Sequence, residues 1–108
     1  MFFENEKIEL EHVMEGLDRK ILAADGTMML VEMQFAPGTA APIHNHPHEQ
    51  ITYVIEGSIE MKLGDDVKVL KKGDSAYVPS DIIHGVTAIE SSKVLDIFTP
   101  QRQDFLKK

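Results

Sequence analysis

Residues 42–57 read PIHNHPHEQITYVIEG, and positions 44–50 within them hold three histidines, a glutamate and a glutamine. On a strand or extended segment, side chains at i and i+2 point to the same side. His44 and His46 therefore converge while Asn45 turns away, and Gln50, four residues further on, keeps their phase. Neutral imidazole is the commonest protein metal ligand and binds zinc at about 2.0–2.1 Å. Two histidines make half of such a site, so the rest must come from another strand. His84, in GDSAYVPSDIIHGV (73–86), follows a strand ending at Pro79 and a turn through Ser80 and Asp81. Alone it would read as a structural histidine; beside an unpartnered H-x-H it reads as a third imidazole ligand. Glu49 competes with Gln50 for the oxygen position. Phase favours Gln50, because Glu49 shares a face with Ile51 and Tyr53. His48, after Pro47 in the turn, reads as a rim residue, and His12 as surface.

A second stretch, KVLDIFTPQRQDF (93–105), places Asp96 inside an apolar β run with Phe98 in phase two residues later. A carboxylate there is costly without a partner or a task. Arg102 follows within reach of the same wall. The bland reading is an Asp96–Arg102 pair that pins the C-terminus.

Short strands separated by turn residues must position these groups. LDRKILA (17–23), TMMLVEMQF (27–35), QITYVIE (50–56), SIEMKL (58–63), VKVL, SAYV, IIHGVTAI and SKVLDIF all read as β. In 27–35, Met29, Val31, Met33 and Phe35 alternate with Glu32 and Gln34, the half-buried strand pattern. Only PQRQDFLKK (100–108) reads as a helical turn. The fold class is all-β, a sandwich or barrel, and 108 residues fit one domain over 1–108. The methionines at 28, 29, 33 and 61 are expected to fill the core.

Composition narrows the partners. Eleven Lys and Arg against eighteen Asp and Glu give a net charge of −7, which argues against a nucleic-acid surface, since that needs a basic stripe. No cysteine is present, which removes disulfides and thiolate metal sites. No signal peptide or run of roughly 18 apolar residues is visible, and the expectation is a soluble cytoplasmic protein with no membrane partner. An anionic ligand would need a local cation, a metal or one of two arginines, Arg19 and Arg102. Because ITYVI is apolar on both faces, a homodimer covering the outer one is also expected.

GTAAPIHNHPHEQITYVIEG (38–57) resembles the first cupin motif, with Gly38, the H-x-H, the oxygen ligand and Gly57 at the expected intervals. GDSAYVPSDIIH (73–84) resembles the second. Gln50 stands where many cupins have glutamate, and Asp81 where the second motif usually has glycine. The chain as a whole is similar to the KdgF-type cupins of pectin and alginate breakdown. The resemblance implies a double-sheet jelly-roll barrel with one divalent ion per chain held by His44, His46, Gln50 and His84. Nickel, zinc, manganese and iron all accept such a set. It also implies a catalytic wall of Asp96, Phe98 and Arg102, and a sugar acid as ligand: 4,5-unsaturated uronates converted to linear keto sugars, with Phe98 against the sugar ring. Two other readings use the same ligands, a metal-dependent dioxygenase and a sugar-sensing module without turnover.

Overall fold

The computed structural model describes residues 1–106. After a 3-10 turn at Asn5–Lys7, ten strands follow: β1 (Glu11–Met14), β2 (Leu17–Asp25), β3 (Met28–Phe35), β4 (Ala40–His44), β5 (Glu49–Glu56), β6 (Ser58–Leu63), β7 (Asp66–Lys71), β8 (Ser75–Val78), β9 (His84–Ala88) and β10 (Ser92–Thr99). The chain then forms a short helix, α1 (Gln103–Leu106). The expected terminal helical turn is thus present, and its residues 107 and 108 lie outside the described residues. Among the described residues no helix is long and apolar enough to cross a membrane.

The strands form two antiparallel sheets, a six-stranded one in the order β1-β2-β3-β10-β5-β8 and a four-stranded one in the order β4-β9-β6-β7. The all-β double-sheet architecture expected from the sequence is what the chain adopts. Alternation dictates the interior: Met29 and Val31 on β3, Val54 on β5, Ile59 and Met61 on β6, and Val94 and Phe98 on β10 are buried. One core cluster joins Leu17, Phe35, Val54, Ile59, Ala88 and Val94 across the sheets, and a second joins Met29, Val31 and Phe98. Met28 departs from the expected core filling at 61% exposed. It opens β3 beside the turn at residues 26–27, one residue out of phase with the inward set.

Gly57 is the single residue between β5 of the large sheet and β6 of the small one. Its φ of 86° lies in the left-handed region, and an added Cβ would sit 2.3 Å from Ser92 Oγ and 2.4 Å from Ser91 O. Gly38, at φ 79°, has nothing within 4 Å of such a Cβ. Left-handed backbone costs a residue with a side chain roughly 1–2 kcal/mol. Gly38→Ala should therefore cost about 1 kcal/mol, and Gly57→Ala, which adds a clash with backbone, at least about 2 kcal/mol. Denaturant midpoints at constant slope test the ordering; equal losses would refute the crossover argument.

Candidate metal centre

The register of the two sheets brings the chemistry-bearing residues to one end of the barrel. In the small sheet His44 of β4 pairs directly with His84 of β9, and their rings lie 4.4 Å apart. In the large sheet Gln50 pairs with Phe98, and Thr52 with Asp96. Two facing sheets thus contribute imidazoles from one side and an amide, a carboxylate and an aromatic ring from the other.

His46 lies past the end of β4, so its position depends on loop contacts rather than on strand phase. The Asp81 amide donates to His46 O at 2.7 Å, and Ser80 Oγ donates to Pro47 O at 2.6 Å. The turn after β8 therefore clamps the histidine loop. Asp81 sits there at φ 64°, the left-handed conformation for which glycine is the easier residue. This explains the glycine preference at that motif position and shows that Asp81 keeps the turn.

Each of the three imidazoles donates Nδ1 to a backbone carbonyl: His44 to Pro42 O at 2.8 Å, His46 to His48 O at 3.0 Å and His84 to Ile82 O at 2.9 Å. With Nδ1 protonated, the Nε2 lone pairs are left for the interior. Burial holds His46 and His84 below the ordinary histidine range, which keeps them neutral. One ligand atom from each of His44, His46 and His84 lies within 4.8 Å of the others.

The amide of Gln50 has its orientation fixed. Its Nε2 donates to Thr52 Oγ1 at 2.9 Å and to Asp96 Oδ1 at 3.2 Å, so Oε1 is turned towards His46 Nε2 at 3.0 Å. Two lone pairs then face each other with no proton between them. His84 Nε2 is buried and, among the described residues, has no hydrogen-bond partner. Unsatisfied acceptors converging on one point are what a cation requires, so the donor set fits a divalent metal held by three imidazoles and one amide oxygen. Glu49 faces the other way, where its carboxylate accepts from Tyr77 Oη at 2.5 Å.

Asp96 lies beside this cluster. Burial pushes its carboxyl up to about 6, against the opposing pull of hydrogen bonds from Thr52 Oγ1 (2.7 Å) and Gln50. Its wall is shared by Phe98, which is 3% exposed and has His46, Phe105 and Arg102 around its ring. His44, Gln50, His84, Asp96, Phe98 and Arg102 line one cavity. The carboxylate bound to Arg102 is Asp104, not Asp96, so the C-terminus is not pinned in the way a bland reading of Asp96 requires. His48 is partly buried at the rim, edge-on to His46 at 5.4 Å. His12 is exposed and paired with Asp18.

Thr52, Ser80, Asp104 and Phe105 are the participants that sequence reasoning missed. Thr52 could have been found as the polar residue in phase with Gln50 and Val54.

The cupin domain family matches residues 31–98. The chain is 36% identical over 107 residues to the pectin degradation protein KdgF of Dickeya dadantii strain 3937, which covers 97% of each chain. The structure of KdgF from Halomonas sp. superposes with a TM-score of 0.92 at 36% identity, covering 97% of this chain and 99% of that one. An RmlC-like cupin from Shewanella frigidimarina gives a TM-score of 0.93 at 35% identity, covering 96% and 94%.

A cation at the convergence of the imidazoles should be lost when two of them are removed. His44→Ala/His84→Ala protein is expected to retain a cooperative melt but to carry little metal by elemental analysis. Metal content equal to wild type would refute the assignment.

Proposed function

Because the chain belongs to the cupin domain family, and within it to the KdgF-type proteins, we propose that it converts 4,5-unsaturated uronate monosaccharides to linear keto-deoxyuronates. The observation that carries this reading is a half-buried carboxylate and an arginine on the wall of the same cavity as a neutral ligand cluster. His44, His46, His84 and Gln50 would hold one divalent ion, which when bound supplies a Lewis acid for substrate oxygens.

The substrate is a cyclic enol ether with an anomeric hydroxyl and a carboxylate. Ring opening breaks the bond between C1 and the ring oxygen, and the hydroxyl proton leaves O1 as the aldehyde forms. The ring oxygen is left as an enolate on C5, which becomes a ketone when C4 takes up a proton. One proton lost and one gained balance the reaction, so a single group of intermediate acidity can serve both steps. Asp96, with its carboxyl at about 6, is close enough to neutrality to accept that proton and return it. Arg102 presents a planar fork suited to the substrate carboxylate. Phe98 closes the apolar side of the cavity, limiting water around the charged groups.

The test mixes metal-loaded protein with lyase-generated unsaturated monouronates and follows the loss of enol-ether ultraviolet absorbance. Asp96→Asn should keep its metal and fold but lose about 10²–10⁴-fold in turnover. Wild-type turnover by folded, metal-loaded Asp96→Asn protein would overturn the role of Asp96. Oxygen uptake without loss of the enol ether would overturn the reaction.

The assembly proposed with this activity is a homodimer. Ile51 and Tyr77 pair across β5 and β8 on the outer face of the large sheet, and Ile51, Tyr53 and Tyr77 are 44%, 43% and 51% exposed. A second copy covering this patch would remove it from water. Light scattering at micromolar concentration should give a dimer mass, and a monomer would refute the assembly.

A further inference from the structure

We propose that Phe105 and Asp104 are positioning residues that seat and aim the guanidinium of Arg102 at the cavity. The inference rests on Arg102 as the receptor of the substrate carboxylate, as proposed above. Both arginines of the protein lie over one ring: Arg19 Cζ is 4.1 Å and Arg102 Cζ 4.2 Å from the Phe105 centroid. That ring also stands perpendicular to Phe98 at 5.8 Å. Through Phe105, therefore, α1 is joined both to the aromatic wall of the site and to the N-terminal hairpin. Arg19 is itself held, since its Nε donates to Glu11 Oε1 at 3.1 Å from β2 to β1.

Asp104 acts from another direction. Arg102 donates Nε and a terminal nitrogen to its two carboxylate oxygens, at 3.1 and 2.8 Å. A guanidinium has five N–H groups in a planar fork, so this bond takes the Nε edge and leaves the edge between the terminal nitrogens. Asp104 is 60% exposed while Arg102 is 12% exposed and lines the cavity. The free edge is then the one available to a carboxylate inside. The Arg102 hydrogen bonds hold the Asp104 carboxyl below the usual carboxylate range, so the tether stays ionised near neutrality. A flexible arginine on an end segment would otherwise lose rotamer freedom each time substrate bound. Pre-seating it should show in KM more than in kcat.

A double-mutant cycle decides the matter. Phe105→Leu keeps an apolar anchor but removes the aromatic face, and should raise KM for the unsaturated uronate about three- to tenfold. Its kcat, metal content and melt should stay close to wild type, and Phe105→Tyr should restore KM. Asp104→Ala should raise KM similarly, and serves alone if Phe105→Leu fails to fold. In an Arg102→Ala background neither substitution should add to the defect. If Arg102→Ala raises KM but Phe105→Leu and Asp104→Ala do not, or if their effects multiply with it, the positioning role is wrong. If Arg102→Ala itself leaves KM unchanged, the carboxylate role of Arg102 is what has failed. A lower melt with unchanged KM would make Phe105 only an anchor for the C-terminus.

Discussion

The site depends on the amide of Gln50, which stands between groups of opposite need. Its nitrogen donates to the Asp96 carboxylate and the Thr52 hydroxyl, and its oxygen joins the imidazole cluster. A glutamate at position 50 would place two carboxylates about 3 Å apart, where both cannot stay ionised without a large compensating charge. Glutamine avoids that conflict. It lets Asp96 be the one carboxylate on that wall and leaves the ligand set uncharged, so a bound dication would keep its full charge towards the cavity. The raised pKa of Asp96 follows from the same arrangement: neutral donors temper its burial without cancelling it.

Sheet register converts this local chemistry into a rigid geometry. His44 opposite His84, Thr52 opposite Asp96 and Gln50 opposite Phe98 are all backbone pairings. A one-residue slip in either sheet would turn an entire set outward. Alternation of buried residues along β3, β5 and β10 prevents the slip in the large sheet, because it would also expose Val31, Val54 and Val94, and Ile59 and Met61 on β6 resist it in the small one. Core packing and site geometry are thus one constraint. Phe98 belongs to both, as a member of a core cluster and as a wall of the cavity.

The same logic explains what could be read from the sequence. Where one face is buried and the other wet, period-two alternation is clean, and β3 and β6 are legible almost to the residue. Of the histidines, His44 lies on its strand as the alternation requires, whereas His46 reaches the cluster through the loop contacts of Ser80 and Asp81, which strand phase does not encode. Two strands escape. β1 has only four residues, with His12 and Val13 exposed, and β4 contains Pro42, carries a register shift and leaves most side chains to solvent. Neither offers alternation to detect. The supports of Arg102 are illegible for a different reason. Arg19 and Phe105 lie near opposite ends of the chain, and stacking of a guanidinium on a ring leaves no periodic trace. Asp104, two residues from Arg102, shows no pattern that separates a tether from an ordinary surface carboxylate.

The acidity of the chain makes that hidden support consequential. With a net charge of −7, the protein repels a sugar acid at distances where its charges act together. At physiological ionic strength that repulsion fades beyond about 8 Å, and recognition passes to the few charges near the cavity. Arg19 is committed to Glu11 and Phe105, whereas Arg102 lines the cavity. The positive charge facing an incoming carboxylate therefore rests on Arg102 and whatever cation the imidazoles hold. The barrel fixes the imidazoles through its register, but Arg102 lies beyond β10, where no ladder reaches it. Its placement has to come from side chains, and the stacked ring and tethering carboxylate of α1 supply it.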